Sequence, residues 1–326
     1  MQGKIALEEH FALADTLVDL DRRLSGGDIW SDTRKRLLDT RDLRLAEMDN
    51  NGIELVILSH TAPGIQELLS VEEAVELSMR ANDLLAEEIA LHPDRFSGFA
   101  ALPMQDPDAA ITELTRCIKD LGFKGALVNG FTQKDVSDSV IYYDIPEYRP
   151  FWAALEDFSL PFYMHPRTII AERAQAYEGH PWLYSSAWGF SVEASIHSLR
   201  LIGSGLFDDH PKLQIILGHL GERIPFDMWR LDHRIERLPC GYSRPHPMSY
   251  YLKNNFHMTT SGNFYGPAFE FTVNEMGIER IMFSVDYPFE DTTEGATWFD
   301  EMEMTEDTRL KIGRTNAIEL FKLDLE

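Results

Sequence analysis

The chain has 326 residues, of which 44% are hydrophobic and 26% are charged, a composition typical of a globular protein with a sizeable core. Its 54 acidic and 30 basic residues give a formal net charge of -24, which argues against binding to nucleic acid or to anionic membranes. An anionic substrate would therefore need local positive charge in its pocket, from a metal ion or an arginine.

The two cysteines, Cys117 and Cys240, are widely separated and form no C-x-x-C pair, which favours a reduced cytoplasmic chain over a disulfide-linked secreted one. The first residues, MQGKIALEEHF, carry charges where a signal peptide needs an apolar run. No stretch approaches the roughly 18 consecutive apolar residues of a membrane-spanning helix. We therefore expect a cytoplasmic protein with no membrane partner.

Short β-rich runs, each followed by a segment with helical apolar spacing, recur along the whole chain. This alternation predicts parallel strands joined by helices, and eight strands favour a closed (β/α)8 TIM barrel of the α/β class over an open sheet. No linker or repeat divides the chain, so we expect a single domain over residues 1–326. The predicted strands are 4–7, 55–59, 96–102, 125–128, 162–165, 213–217, 256–260 and 280–285.

Helix boundaries are also readable from the sequence. A helix over 32–50 should end at Asn51-Gly52, and Ser70 should open a helix that runs towards His92. Asp106-Pro107 should open another, because proline suits the first helical turn. The least regular parts, 20–31, 131–147, 167–190 and 238–250, are predicted to be loops, some of them around an active-site mouth.

Side chains able to bind metal follow several predicted strands, at the end where TIM barrels gather catalytic groups. Strand 1 ends in Glu8-Glu9-His10, and alternation along a strand lets Glu8 and His10 face the barrel axis while Glu9 faces away. Two imidazoles and two carboxylates from different strands would suit a divalent ion. Histidines after strands are also often simple hydrogen-bonded loop residues. The remaining strand-end groups are His165, His219 and Asp286.

Seven segments distributed over nearly the entire chain carry a family resemblance. They are similar to the amidohydrolase-related aromatic acid decarboxylases, particularly γ-resorcylate (2,6-dihydroxybenzoate) and 2,3-dihydroxybenzoate decarboxylases. These enzymes have a (β/α)8 barrel, and we expect the same fold here. The segments are GKIALEEHF, GFKGALVNGF, PFYMHPR, HPKLQIILGHLGE, TTSGNF, RIMFSVDYPFE and KIGRTNAIELFKLD.

The resemblance implies that Glu8, His10, His165 and Asp286 bind one divalent ion, Zn2+ or Mn2+. Binuclear relatives carry a carboxylated lysine at the end of strand 4, where this chain has Asn129-Gly130, so a second metal is disfavoured. No G-x-G-x-x-G follows a strand, and we expect no organic cofactor.

The resemblance also assigns roles around the substrate. His219 would handle a proton and Glu222 would orient its ring; the alternative is that Glu222 favours the positive N-terminus of the following helix. Arg230 resembles a substrate-contacting arginine supplied across a subunit interface, but by itself suits a surface ion pair with Asp227 or Asp232. Asn129 would bind a phenolic oxygen, or simply form a turn before Gly130.

These assignments predict a carboxy-lyase that removes CO2 from a hydroxybenzoic acid, with 2,6-dihydroxybenzoate giving resorcinol, reversibly in principle. Asp286 would protonate the ring carbon and His219 would manage the phenolic proton. A metal-dependent hydrolase of a lactone or amide uses the same ligand set, and a binding barrel with a structural ion is a third possibility.

Further signals concern substrate identity and assembly. His10 resembles the γ-resorcylate branch, whereas the segment 60–64 is closer to the 2,3-dihydroxybenzoate branch. Phe11, Leu24 and Trp188 are further candidates for shaping a pocket for a small aromatic acid. Relatives are usually dimers or tetramers, so we expect a homodimer or homotetramer.

Overall fold

The structure is a computed structural model that describes residues 1–17 and 28–325. Leu24, a candidate pocket residue, lies outside the described residues. Within the two ranges, no helix is both long enough and apolar enough to cross a membrane.

Eight parallel strands surround a common axis, as predicted. Strands β1 to β3 form one parallel sheet and β4 with β7 to β10 form another. Single bridges, Ala100 to Ala126 and Glu9 to Tyr287, join the two sheets and close the ring. The strands in chain order are β1 (Lys4–Phe11), β2 (Ile53–His60), β3 (Phe96–Gly98), β4 (Ala126–Asn129), β5 (Thr132–Lys134), β6 (Val136–Ile141), β7 (Phe162–His165), β8 (Ile215–Leu217), β9 (Phe256–Thr259) and β10 (Ile281–Met282).

Helices follow the barrel strands and cover the outside of the ring. Two predicted helix starts are confirmed, since Ser70 accepts a hydrogen bond from the Glu73 amide and Asp106 accepts from the amides of Asp108 and Ala109. The α-helices are α1 (Asp28–Leu38), α2 (Asp42–Asn50), α3 (Val71–Leu91), α4 (Pro107–Lys119), α5 (Arg149–Phe158), α6 (Gly189–Gly203), α7 (Leu206–Asp209), α8 (Ile224–Arg237), α9 (Met248–Asn255), α10 (Gly266–Met276), α11 (Thr292–Glu301), α12 (Glu306–Leu310) and α13 (Asn316–Phe321).

The prediction of one continuous helix over 32–50 is wrong. The structure has α1 and α2 instead, separated by a short break. The Asp39 carboxylate accepts hydrogen bonds from the backbone amides of Arg41 (3.1 Å) and Leu43 (2.9 Å). A short acidic side chain that binds nearby amides competes with the continuing helix and opens a new one.

The segment 131–147, predicted to be a loop, contains a small hairpin of β5 and β6. Its turn is at Asp135, whose φ of 65° lies in the left-handed region that aspartate tolerates. Because β6 is largely exposed, it lacks the buried alternation that identifies a strand in a sequence.

Four strands are longer in the sequence prediction than in the structure, namely 96–102, 213–217, 256–260 and 280–285. In the last of them, side chains replace part of the backbone ladder. The run 280–285 is regular only to Met282, after which Ser284 Oγ accepts the amides of Leu7 (3.1 Å) and Glu8 (2.7 Å). Glu9 accepts the amide of Val285 at 3.0 Å. Side chains therefore hold together the seam between β1 and β10.

The packing of Trp152 shows how the outer layer supports a strand of the site. Trp152 on α5 is fully buried, its ring centroid is 5.0 Å from that of Phe162 on β7, and its indole donates to the Tyr143 carbonyl at 2.8 Å.

We predict that Trp152→Ala lowers the free energy of unfolding by about 3 to 5 kcal/mol, because a large cavity replaces the ring. Denaturant unfolding measures this loss. Trp182→Ala, at a 64% exposed position, should leave stability nearly unchanged, and equal losses in both variants would contradict this packing.

Candidate metal centre and active site

A bulge in β1 turns Glu8 into the barrel. Ala6 pairs with Val56 and Glu9 with Leu58, so two residues of β1 oppose one of β2 between these pairs. Leu7 therefore packs in the inner apolar cluster while the next residue, Glu8, also faces inwards. Bulges commonly re-aim side chains beside active sites.

Four side chains converge at the carboxyl ends of β1, β7 and β10. Each offers a ligand atom, and these atoms all lie within 4.8 Å of one another. His10 Nε2 is 3.2 Å from Asp286 Oδ1, and His165 Nε2 is 3.3 Å from Glu8 Oε1. The structure thus brings together the four residues that the sequence proposed as a metal site, Glu8, His10, His165 and Asp286.

The donor atoms of this cluster suit a metal ion. Glu8 Oε1, His10 Nε2 and Asp286 Oδ1 are buried and none makes a hydrogen bond, although each lies close to another member of the cluster. Buried polar atoms without partners are costly, and a shared cation would satisfy them together. Two carboxylates and two imidazoles are ligands that Zn2+ and Mn2+ both accept.

Neighbouring side chains fix the orientation of Glu8. Tyr163 and Ser261 both donate hydrogen bonds to its Oε2, leaving Oε1 directed at the cluster. Burial by itself would raise the pKa of Glu8, but the positive charge of His219 and the close approach of the His165 ring hold that pKa well below its usual range. Glu8 is therefore a carboxylate, as a metal ligand must be.

His10 is oriented in a similar way. Its Nδ1 lies 3.0 Å from Ser59 Oγ on the neighbouring strand, which leaves Nε2 facing Asp286. The outward neighbour Glu9 accepts hydrogen bonds across the seam instead, and burial raises its pKa to about 8. Adjacent glutamates thus take different roles because they face different environments.

His219 and Glu222 form a close pair beside this cluster. His219 Nδ1 lies 2.6 Å from Glu222 Oε1, while Nε2 faces Asp286 Oδ2 at 3.4 Å and Glu8 Oε1 at 3.6 Å. Burial opposes protonation of His219, but the carboxylates of Glu222 and Glu8 outweigh it and raise its pKa well above the usual value. Glu222 therefore binds the histidine, and α8 begins without a side-chain cap.

A left-handed turn presents this pair. All five residues from His219 to Arg223 have positive φ, between 52° and 85°. Gly221 is needed there, because a Cβ would come within 2.6 Å of the Met258 sulfur. Non-glycine residues adopt this region at a cost, and such strain is concentrated at functional sites.

Asn129 and Arg230 do not join the cluster within this chain. Asn129 is buried at the end of β4, where its side-chain amide donates to the His60 carbonyl at 3.3 Å and its amide N–H donates to Gln66 at 3.2 Å. Arg230 is exposed on α8 and lines a separate groove of about 320 Å3. The structure gives it no ion pair with Asp227 or Asp232, both of which are described residues.

A cavity of about 730 Å3 opens in front of His219 and Asp286. Several of its lining residues had no assigned role in the sequence, because nothing in their local pattern distinguishes them from ordinary loop residues. Ser261 lies in TTSGNF, one of the segments similar to the decarboxylase family, but the sequence did not predict its hydrogen bond to Glu8. The unassigned lining residues include Phe190, Arg223, Asn263, Tyr265 and Glu290.

The architecture and the cluster define the class of protein. Residues 29–323 match the family model described as amidohydrolase, and the chain belongs to this family. The predicted TIM-barrel fold is confirmed by its structural neighbours.

Among the relatives, the chain is 51% identical to a γ-resorcylate decarboxylase of Rhizobium sp. (strain MTP-10005), over 99% of both chains. A structure of 2,6-dihydroxybenzoate decarboxylase complexed with 2,6-dihydroxybenzoate matches with a TM-score of 0.96 and 51% identity, covering 99% of this chain and 100% of that one. A dihydroxybenzoic acid decarboxylase from Polaromonas sp. JS666, with bound manganese and the inhibitor 2-nitroresorcinol, matches with a TM-score of 0.96 and 48% identity, covering 100% and 98%. The predicted family resemblance is confirmed.

Removing one donor should weaken metal binding. We predict that His165→Ala lowers the affinity of the metal-stripped protein for Mn2+ by roughly 100-fold, because three donors replace four and even supporting residues contribute up to that much. Calorimetric titration with MnCl2 measures the affinity. His180→Ala removes an exposed histidine outside the cluster and should bind Mn2+ as the wild type does. Equal Mn2+ affinities of the two variants would argue against the cluster as the metal site.

Proposed function

We propose that this chain catalyses the metal-dependent, non-oxidative decarboxylation of a hydroxybenzoate, with 2,6-dihydroxybenzoate giving resorcinol and CO2, reversibly. The observation that carries this proposal is the pairing of the four-residue cluster with His219 and Glu222 at one end of a cavity. The chain is 51% identical, over 99% of its length, to a relative named γ-resorcylate decarboxylase. A cavity of about 730 Å3 is large enough for a single aromatic ring.

Glu8, His10, His165 and Asp286 would hold one ion, Mn2+ or Zn2+, and we favour Mn2+ because the Polaromonas relative was solved with bound manganese. When bound, the ion supplies positive charge that neutralises the substrate carboxylate and stabilises phenolate character in the ring. No organic cofactor is needed, since the electrons of the broken bond return to the ring.

Asp286 is the proposed proton donor to the ring. Its Oδ1 faces His10 within the cluster, whereas Oδ2 faces His219, so its two oxygens have different partners. A proton on Oδ2 transfers to the ring carbon that bears the carboxylate, and this breaks aromaticity. The bond to the carboxylate then breaks, its electron pair restores the aromatic ring, and CO2 leaves.

His219 manages the phenolic proton in this scheme: the phenol loses its proton to solvent on binding, the charged His219 ring stabilises the phenolate oxygen, and it returns a proton to that oxygen when the product forms. Its Nδ1 is bound to Glu222, so Nε2 is the nitrogen available to the substrate and to Asp286. Loss of the phenolic proton raises electron density at the carbon to be protonated. Because Glu222 favours the charged ring of His219, it acts as the positioning residue for this step.

Two further assignments complete the proposal. Arg230 is exposed and does not line the cavity of its own chain, so it would contact substrate from a partner subunit of a homodimer or homotetramer. Asn129 has a buried Oδ1 without a hydrogen-bond partner and would contact a phenolic group only if the ring reached the end of β4. We also retain a single domain and a cytoplasmic location, which two free cysteines suit.

Turnover in D2O tests the proposed reaction. We expect one deuterium at C2 of resorcinol for each CO2 released from 2,6-dihydroxybenzoate, because the transferred proton exchanges with solvent before it reaches the ring. Mass spectrometry and NMR of the product measure the label, and resorcinol incubated with enzyme controls for later exchange. Cleavage of a lactone or amide without CO2 release would instead favour the hydrolase of the same fold. Parallel assays with 2,3-dihydroxybenzoate decide between the two substrate branches.

Substitutions of the two proton-handling groups test their roles. We predict that His219→Asn lowers kcat by about 10^2- to 10^4-fold while metal content and fold are retained, since it removes proton transfer alone. Asp286→Asn should lower kcat at least as much, with metal content measured in parallel because the same residue would also bind the ion. Near-normal turnover in either variant would overturn the corresponding role.

A further inference from the structure

Arg223 places a positive charge on the wall of the cavity. It is exposed, it lines the cavity together with His219 and Asp286, and its guanidinium carbon lies 4.2 Å from the ring centroid of Trp188. Among the described residues, its guanidinium makes no ion pair and no hydrogen bond. Its donors therefore remain available to an anion while the aromatic ring fixes the plane of the group.

The backbone at Arg223 is unusual for an arginine. Its φ is 70°, at the end of the left-handed turn that begins at His219. A side chain with a Cβ is disfavoured in this conformation, where glycine or asparagine is the ordinary choice. The turn that presents the proton-handling histidine thus also presents a cation, at some cost in backbone strain.

Arg223 is surrounded by acidic groups. The carboxylates that line the same cavity belong to Glu222, Asp286 and Glu290, and the whole chain carries a formal net charge of -24. The charged His219 ring and the proposed ion lie deeper, beside the buried cluster, whereas a benzoate anion first meets the exposed wall, where a positive group must offset the acidic surface. Arg223 is the only lysine or arginine among the described residues that line the cavity.

We propose that Arg223, stacked on Trp188, is the docking and selectivity residue for the aromatic carboxylate, binding its anionic group at the cavity mouth before the acid reaches the metal cluster. This inference rests on the proposed function, since it assumes an aromatic acid as substrate. Its consequence is discrimination between charged and neutral aromatics. The acid should depend on Arg223, whereas the neutral phenol formed from it should not.

Kinetics of two asparagine variants test this role. Arg223→Asn removes the charge and suits the left-handed backbone, so its thermal stability should equal or exceed that of the wild type. We expect its kcat/KM for 2,6-dihydroxybenzoate to fall about tenfold at low ionic strength, through KM rather than kcat, and to respond less to added salt. Arg237→Asn changes the net charge equally at an exposed position on α8 that does not line the cavity. It should match the wild type, and Arg223→Lys should restore much of the loss.

Equilibrium binding to manganese-loaded protein that carries His219→Asn, which slows turnover of the acid, separates this inference from the proposed function. Arg223→Asn should weaken binding of 2,6-dihydroxybenzoate several-fold and leave binding of neutral resorcinol unchanged. Equal weakening of both ligands, or no weakening of either, would overturn the role of Arg223. If the wild type releases no CO2, the proposed function fails, but this comparison of charged and neutral ligands still decides whether Arg223 recognises the anion.

Discussion

The structure depends on burying two carboxylates and two imidazoles at one end of the barrel. Glu8 and His10 have no exposed surface, and Asp286 is only 9% exposed. Charged groups in such a place are strongly disfavoured unless opposite charge compensates them. A divalent cation would offset the charge of the two carboxylates and accept lone pairs from the two imidazoles, which would link the stability of this end of the barrel to its chemistry.

The same constraint explains the irregular seam between β1 and β10. Two of the four groups come from β1 and one follows β10, so the seam positions three of them. A regular backbone ladder is replaced there by Ser284 and Glu9, whose side chains accept the amides of the opposite strand. The bulge in β1 and the positive φ of 81° at Asp286 direct the ligand atoms inwards. The backbone departs from regular strand geometry where the site requires particular side-chain directions.

Much of this arrangement could be predicted from the sequence, because strand order and the carboxyl ends of strands determine where the four groups meet. All eight barrel strands were located, and β7 had the predicted bounds of 162–165. The bulge at Leu7 and Glu8 could not be predicted, since alternation alone assigns Glu8 to the same face as Ala6. The break at Asp39 and the role of Arg223 also depend on contacts that local patterns do not encode. Helix and strand patterns report burial, whereas the direction of a side chain at an irregular backbone position depends on the folded chain.

The central claim is that Glu8, His10, His165 and Asp286 share one cation. Anomalous diffraction at the manganese absorption edge, from crystals of the protein prepared with MnCl2, tests it most directly. The account predicts one strong peak bounded by these four side chains, with ligand atoms at about 2.0 to 2.3 Å. A peak elsewhere, or none at this position in fully loaded protein, would contradict it.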